Sequence, residues 1–420
     1  MEVTTMGPRL ISLLGLLVMM LMAWLLSENR RHMNWRLIGT GVACQLLFAL
    51  VILKTEVGRA VFGAAKEFVN GMLACGEKGS AFVFGDGYQE HFFAFSVLGL
   101  IVFFASLTAV LFHWGVIQAF IKALAWSMVR LMDVSGAESL AAAANIFVGH
   151  TEAPLVIRPY LMTMTRSEIT AMLTGGMATI SGSVMAAYVG LGIDAGHLLA
   201  ASVMSAPASL VIAKIMVPEM ETSSTKGTVR VDVPRKGRNT IDAACHGASD
   251  GLKLALNVGA MILALLSLVA LINWGLEWGQ YGVVALFQGK EAALEMKATS
   301  PLTFERMLGW LFCPFAWLMG IPRGEVTLIG QILGEKTVLN EFVAYMDLVK
   351  LRDQLSERSF IIATYALCGF ANFGSVAIQI GGIGAMVPER RDDIAQLSFR
   401  SMLGGTLAAF MTACVVGLLI

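Results

Sequence analysis

Charge is scarce in this chain: Asp, Glu, Lys and Arg make up 14% of its 420 residues, apolar side chains 56%, and the formal net charge is zero. Soluble domains carry about 25% charged residues, and with a mean hydropathy of +0.71 the composition excludes that class and points to a lipid bilayer as solvent. No long basic or acidic run is present, so the electrostatic footprint of a nucleic-acid binder is missing and that partner class drops out. Cysteine is also sparse. Cys44, Cys75, Cys245, Cys313, Cys368 and Cys414 are scattered, form no CxxC pair and have no His/Cys spacing suited to a metal, so they read as free structural thiols. HExxH is absent.

What the chain does have is apolar length. Stretches long enough to cross a hydrocarbon core fall at 10–26, 37–53, 92–112, 169–193, 198–213, 254–274, 360–387 and 401–420, eight candidate spans. The first lacks a small-residue cleavage site and is followed by further runs, so it reads as a membrane helix rather than a signal peptide. Arg30, Arg31 and Arg36 follow the first span, and Lys226, Arg230, Arg235, Lys236 and Arg238 follow the fifth. By the positive-inside rule both loops are cytoplasmic. Both termini are then expected outside, with Arg390 and Arg391 inside; 306–358 fits the rule less well.

Two regions, 139–162 and 325–351, are neither clean spans nor plain loops. Each joins two short apolar helix-like stretches through a polar turn and reads as a re-entrant hairpin. In the first, the turn Gly149-His150-Thr151-Glu152 precedes Pro154, a residue tolerated in a helix's first turn, and Thr151 reads as the N-cap. In the second, Asn340 is the cap-type residue and Glu341 the carboxylate that follows it. An internal repeat organises the whole. Arg166-Ser167 and Gly182-Ser183-Val184 recur as Arg358-Ser359 and Gly374-Ser375-Val376 at one constant offset, and Gly190 and Gly192 match Gly382 and Gly384. An odd number of crossings between the copies predicts an inverted-topology repeat.

A carboxylate at bilayer depth costs roughly 2.5 to 3.5 kcal/mol, so Glu152 and Glu341 require partners or a water-filled cavity. Gly and Ser near 178–184 and 371–375 allow helix unwinding, which bilayers tolerate where the freed backbone lines a cavity. The polar groups gathered there, His150, Thr151, Glu152, Asn340, Glu341, Asn372 and Ser375, suit a small, uncharged, hydroxyl-rich ligand better than an ion. Asn257, Ser181 and Ser183 could equally serve helix packing, and Phe370 could equally be core.

Gly149-His150-Thr151-Glu152-Ala153-Pro154, Asn340-Glu341-Phe342-Val343-Ala344-Tyr345 and Gly369-Phe370-Ala371-Asn372-Phe373 together resemble the signatures of concentrative nucleoside transporters. The similarity runs from the first span to the last in the eight-span bacterial arrangement. It implies an all-α polytopic fold with eight transmembrane helices, two re-entrant hairpins, and scaffold and transport domains, assembled as a homotrimer in the bacterial inner membrane. The chain then divides into 1–113 (scaffold spans one to three), 114–217 (first repeat: interfacial helix, hairpin 1, spans four and five), 218–300 (cytoplasmic loop and scaffold span six) and 301–420 (second repeat: hairpin 2, spans seven and eight). By the same resemblance His150, Thr151 and Glu152 face the nucleobase, with Val184 nearby and Phe370 bordering the pocket, while Glu341, Asn372 and Ser375 hold the ribose. A sodium-type site comprises Asn145, Val148, Thr179 and Ile180. Those ligands make chemical sense, because two side-chain oxygens and two backbone carbonyls are hard donors suited to an alkali cation.

The sequence departs from the family pattern in three places: His150 stands where Gln is common, Gly374 where Ser is frequent, and Thr179 where Ser is usual. The first puts base selectivity in question; the last keeps the hydroxyl and so favours sodium. The expectation is a non-enzymatic secondary transporter that imports nucleosides by sodium symport through alternating access, with no cofactor beyond the coupling ion. The alternative is proton coupling through His150, Glu152 and Glu341. A passive channel and an intramembrane enzyme using Glu152 and Glu341 as acid and base are the remaining readings. Against the enzyme, the only adjacent acids, Asp392-Asp393, lie in a short loop away from the polar cluster.

Overall fold

The computed structural model describes residues 3–420 except 86, 89–91, 228–236 and 300; Arg230, Arg235 and Lys236 of the expected basic loop lie outside the described residues. Among the described residues there is no β-strand, only an isolated bridge between Ser135 and Lys226. The helices run α1 (Val3–Leu25), α2 (Trp35–Lys54), α3 (Glu56–Phe84), α4 (Leu98–His113, entered through a π-turn at Phe92–Val97) and α5 (Val116–Met132). Then come α6 (Gly136–Ala144), α7 (Ala153–Val156), α8 (Arg166–Ala178), α9 (Gly182–Gly190), α10 (Ala195–Met216) and α11 (Thr240–Gln288). The last third holds α12 (Lys290–Thr299), α13 (Phe304–Leu318), α14 (Val326–Val338), α15 (Glu341–Lys350), α16 (Glu357–Leu367), α17 (Phe373–Met386) and α18 (Arg391–Leu419).

Among the described residues seven segments are long and apolar enough to cross a membrane: Gly7–Leu25, Trp35–Lys54, Phe95–His113, Arg166–Gly190, Ala195–Met216, Thr240–Gln288 and Pro388–Leu419. They coincide with seven of the eight expected runs. The eighth, 360–387, is occupied by two helices of 11 and 14 residues with 368–372 between them. The sixth differs in length: α11 has 49 residues, about 70 Å at 1.5 Å per residue, because helical backbone continues through the charges that bounded the apolar run. The 29-residue α3 has no counterpart among the expected spans, since Lys66, Glu67, Glu77 and Lys78 interrupt its apolar face.

Burial separates an interior from a shell. In their most apolar 18-residue stretches, the α8–α9 segment and α10 have 89% of residues buried, whereas α1 has 28% and α11 17%. The shell turns large apolar side chains outward, among them Leu10, Leu17, Leu263, Leu271 and Trp274, as a lipid-facing surface does. Lipid is as apolar as leucine, so helices associate in it by close approach of small residues. On α11, a Cβ added at Gly247 or Gly251 would lie 2.6 or 2.7 Å from the Ala109 or Ala105 methyl of α4.

One end of the interior is closed by polar residues. Both α6 and α8 open with reciprocal capping boxes, Ser135 with Glu138 and Thr165 with Glu168. Lys214 of α10 joins them, 2.7 Å from Glu138 and 3.2 Å from Glu219, while Ser223 donates to Glu168 at 2.6 Å. Such buried charges are tolerable because each has a partner. Near the start of α10, Asp194 caps the helix and pairs with Lys66 of α3. Burial opposes its ionisation, but the Lys66 ammonium and the His197 amide hold its carboxyl below the usual range.

Candidate functional site

The site is built where two interior helices break. The first copy is α8, then 179–181, then α9; the second is α16, then 368–372, then α17. Each resumes on its own cap: Ser181 accepts from the Val184 amide at 3.4 Å and Asn372 from the Ser375 amide at 2.8 Å. The breaks cross each other. The Phe370 amide donates to the Thr179 carbonyl at 3.3 Å, and a Cβ at Gly369 would come within 2.7 Å of the Met177 carbonyl oxygen, so only glycine permits this approach. The copies diverge beyond it, since α9 ends at Gly190 while α17 continues through the matching Gly382.

The segments expected as hairpins are each two helices joined by a turn: α6 and α7 around 145–152, α14 and α15 at Leu339 and Asn340. Asn340 caps α15 as expected, accepting from the Val343 amide at 2.9 Å. Thr151 does not cap α7. That position belongs to Glu152, whose carboxylate accepts from the Gly149 amide at 3.3 Å. The arm after it is a single turn followed by a 3₁₀ segment, because Pro159 withholds the amide that a longer helix would bond to the Leu155 carbonyl.

The predicted residues Glu341 and Asn372 meet, with Glu341 at the N-terminal end of α15, where the helix dipole favours an anion. Its Oε1 accepts from the Tyr188 hydroxyl at 2.8 Å and its Oε2 from Asn372 Nδ2 at 3.0 Å. Asn372 thus uses its oxygen to cap α17 next to Ser375 and its nitrogen to hold the acid. Glu341, Asn372 and Ser375 are all 5% exposed or less, so a buried carboxylate faces a hydroxyl and an amide.

His150 and Phe370 meet edge to face, with ring centroids 4.9 Å apart. His150 Nδ1 is buried with no hydrogen-bond partner among the described residues. Thr151 packs its methyl group against Gly382 of α17, 3.1 Å from where a Cβ would be. Val184 is buried near the start of α9. Glu152 stands apart: it is exposed on the turn, not enclosed with Glu341.

Asn145, Val148, Thr179 and Ile180 are all buried. Neither Oδ1 nor Nδ2 of Asn145 has a hydrogen-bond partner among the described residues, and the amide lies over Gly175, where a Cβ would be 3.2 Å from Nδ2. Thr179 donates to the Gly175 carbonyl at 2.9 Å, and the Phe147 carbonyl accepts from Gly182 at 3.1 Å, lacing the turn to α9. A buried, unsatisfied side-chain oxygen costs roughly 1–3 kcal/mol. Its presence over Gly175, whose carbonyl takes the Thr179 hydroxyl, offers hard oxygen donors of the kind that fit a monovalent cation.

Sequence reasoning missed Tyr188 and Gln379. Tyr188 is fully buried and packs its ring at a tilt against Tyr345, centroids 4.5 Å apart. Gln379, on α17, donates to the Leu173 carbonyl at 3.1 Å and, with His150, flanks Gly176. The available signal was a lone polar group within an apolar run. All six cysteines are free.

Comparison with known proteins agrees along the chain. Residues 14–87 match the N-terminal and 197–417 the C-terminal model of the Na+-dependent nucleoside transporters, and 94–195 match a nucleoside-recognition gate model. An uncharacterized transporter of Haemophilus influenzae is 42% identical over 97% of each chain. Solute carrier family 28 member 3 of Homo sapiens is 39% identical over 98% of this chain, which spans 60% of that longer protein. Among solved structures, CNTnw in an inward-facing substrate-bound state is 40% identical, with a TM-score of 0.87 over 98% of this chain and 97% of that one. A doubly substituted CNTnw in an outward-facing state gives 0.89 over 98% and 97%. With family models spanning most of its length and full-length relatives near 40% identity, this polytopic membrane protein belongs to the Na+-dependent nucleoside transporter family.

Proposed function

We propose that this chain imports nucleosides by sodium symport, through alternating access, across the bacterial inner membrane. The observation that carries the reading is the pairing of a buried acid–amide contact, Glu341 with Asn372 at the start of the helix that carries Ser375, with an unsatisfied buried amide at Asn145. The first suits the vicinal hydroxyls of a ribose and the second a cation. His150, Thr151, Glu152, Val184 and Phe370 supply the base side, and Asn145, Val148, Thr179 and Ile180 the sodium site. The family is one of transporters and not of enzymes, so an intramembrane acid–base reaction is set aside.

In this reading α6 with α7 and α14 with α15 are re-entrant hairpins of an inverted repeat. Together with the two broken helices they form a transport domain that moves against a scaffold of spans one to three and six within a homotrimer. Relatives captured in inward- and outward-facing states support such motion. The domain limits are 1–113, 114–217, 218–300 and 301–420, and the basic loops place both termini outside.

The test is uptake of labelled uridine into proteoliposomes under an imposed sodium or an imposed proton gradient at matched potential. Accumulation driven by sodium alone supports the reading. Accumulation driven by protons alone moves coupling to the titratable groups, and equilibration without accumulation makes the protein a channel.

His150 gives a separable prediction. A glutamine offers a fixed acceptor and donors, whereas a neutral imidazole offers one of each. His150→Gln is expected to reorder preference among bases by roughly tenfold, the scale of one hydrogen bond, while leaving the ribose contribution intact. Competition of labelled uridine by purine and pyrimidine nucleosides reads this out, and a uniform loss across all of them would remove His150 from base recognition.

A further inference from the structure

Lys336 lies on α14 and is fully buried, 0% exposed, in a segment read as membrane-embedded. Its Nζ donates to the Ala366 carbonyl at 2.8 Å. That carbonyl belongs to the last turn of α16, where the helix breaks. The amide that would serve it in an unbroken helix is that of Phe370, which donates instead to Thr179 of the other broken helix. A second carbonyl freed by the same break, that of Thr364, accepts from the Tyr345 hydroxyl on α15 at 2.8 Å, and the Cys368 amide it would have received goes to Tyr365. Both arms of the second helix pair therefore reach across to satisfy the end of the broken helix beside it.

The first repeat has the same construction with a different filling. There α6 and its turn approach the end of α8, and what stands between them is Asn145, its amide unsatisfied at both atoms, close to Gly175 in the last turn before the break. At this place the first copy has a buried amide with no partner among the described residues, and the second has the lysine ammonium.

We propose that Lys336 is a tethered cation that does for the second repeat what the coupling sodium does for the first: it binds a carbonyl freed by the helix break and fixes the hairpin against it. Lys336 is thus a positioning residue for Glu341, which starts the other arm of the same pair. One consequence is stoichiometric: the second repeat needs no ion of its own, so a single sodium accompanies each nucleoside. This rests on the sodium reading above, but the effect of removing the lysine does not.

The test compares Lys336→Met, which keeps length and apolarity, with Lys336→Arg, which keeps the charge, both as purified full chains in proteoliposomes. Losing the partner of a buried polar group is among the costlier single changes, and the methionine variant is expected to raise the KM for uridine roughly a hundredfold, a scale of two decades in affinity. Its sodium affinity, measured by thermal stabilisation without nucleoside, stays within twofold, because the hairpin-1 site is untouched. The arginine variant recovers at least part of the loss. A methionine variant with wild-type KM overturns the proposal, as does one in which sodium affinity falls in step with uridine affinity. Should the methionine variant fail to fold, the ratio of sodium to uridine flux in the unmodified protein decides: one supports the tethered cation and two places an ion in the second repeat. Uptake driven only by protons would sink the sodium reading, and the KM comparison would still judge Lys336.

Discussion

Glu341→Gln is expected to weaken transport of every nucleoside, whatever its base, raising KM on the order of a hundredfold. The side chain accepts from Tyr188 and Asn372 simultaneously, and hydrogen bonds to a charged acceptor are worth roughly 1.5–3 kcal/mol against about 1 for a neutral one. Glutamine keeps the shape but replaces one acceptor oxygen by a donor, which must then face either the Tyr188 hydroxyl or the Asn372 amide. The substitution therefore removes either the Tyr188 or the Asn372 contact in its present sense, together with the charge of the acceptor. Uptake kinetics with uridine, adenosine and their 2′- and 3′-deoxy analogues would read this out. The variant should discriminate less against deoxy analogues than the parent does, because the acceptor that distinguishes them is gone. Retained discrimination would move ribose recognition away from Glu341.

Asn145→Ala has the second largest expected effect, and it falls on coupling. Asn145 contributes the one side-chain amide in the hairpin-1 cluster that is buried and has no partner in the described structure. Alanine removes the oxygen offered to the ion without taking a hydrogen bond from the protein. Half-maximal sodium concentration is expected to rise by about tenfold or more, the scale of one lost charge-assisted contact, with little loss of thermal stability in sodium-free detergent. A variant as sodium-dependent as the parent would take Asn145 out of the cation site. If sodium orders the turn that carries His150, nucleoside affinity in the Asn145 variant responds to sodium only at correspondingly higher concentrations.

Most of the membrane crossings were legible because a run of apolar residues has few alternative uses. The misreadings have physical causes. Helix α3 hides behind four charges that it carries on exposed faces, and α11 continues as helix well past the point where its apolar run stops. The broken helices were legible through the repeated Gly-Ser-Val motif and the caps through Asn340, but Thr151 lost its expected role because the helix starts at Ala153 and the cap position falls to Glu152. Tyr188, Gln379 and Lys336 were not legible. Each hydrogen-bonds to a residue distant in sequence, and a polar side chain in an apolar run looks the same whether it serves a neighbouring helix or a ligand.

The crossing at Gly369 bears on how the chain is made. Synthesis delivers α8 and its break long before α16 exists, and until then the Thr179 carbonyl lacks the Phe370 amide that covers it. The first repeat therefore enters the bilayer as an unfinished half whose polar backbone has only itself and water for company. Its completion waits for the second repeat to thread a glycine across it, so the two halves reach their final state together, and a ribosome stalled between them leaves a protein without a site.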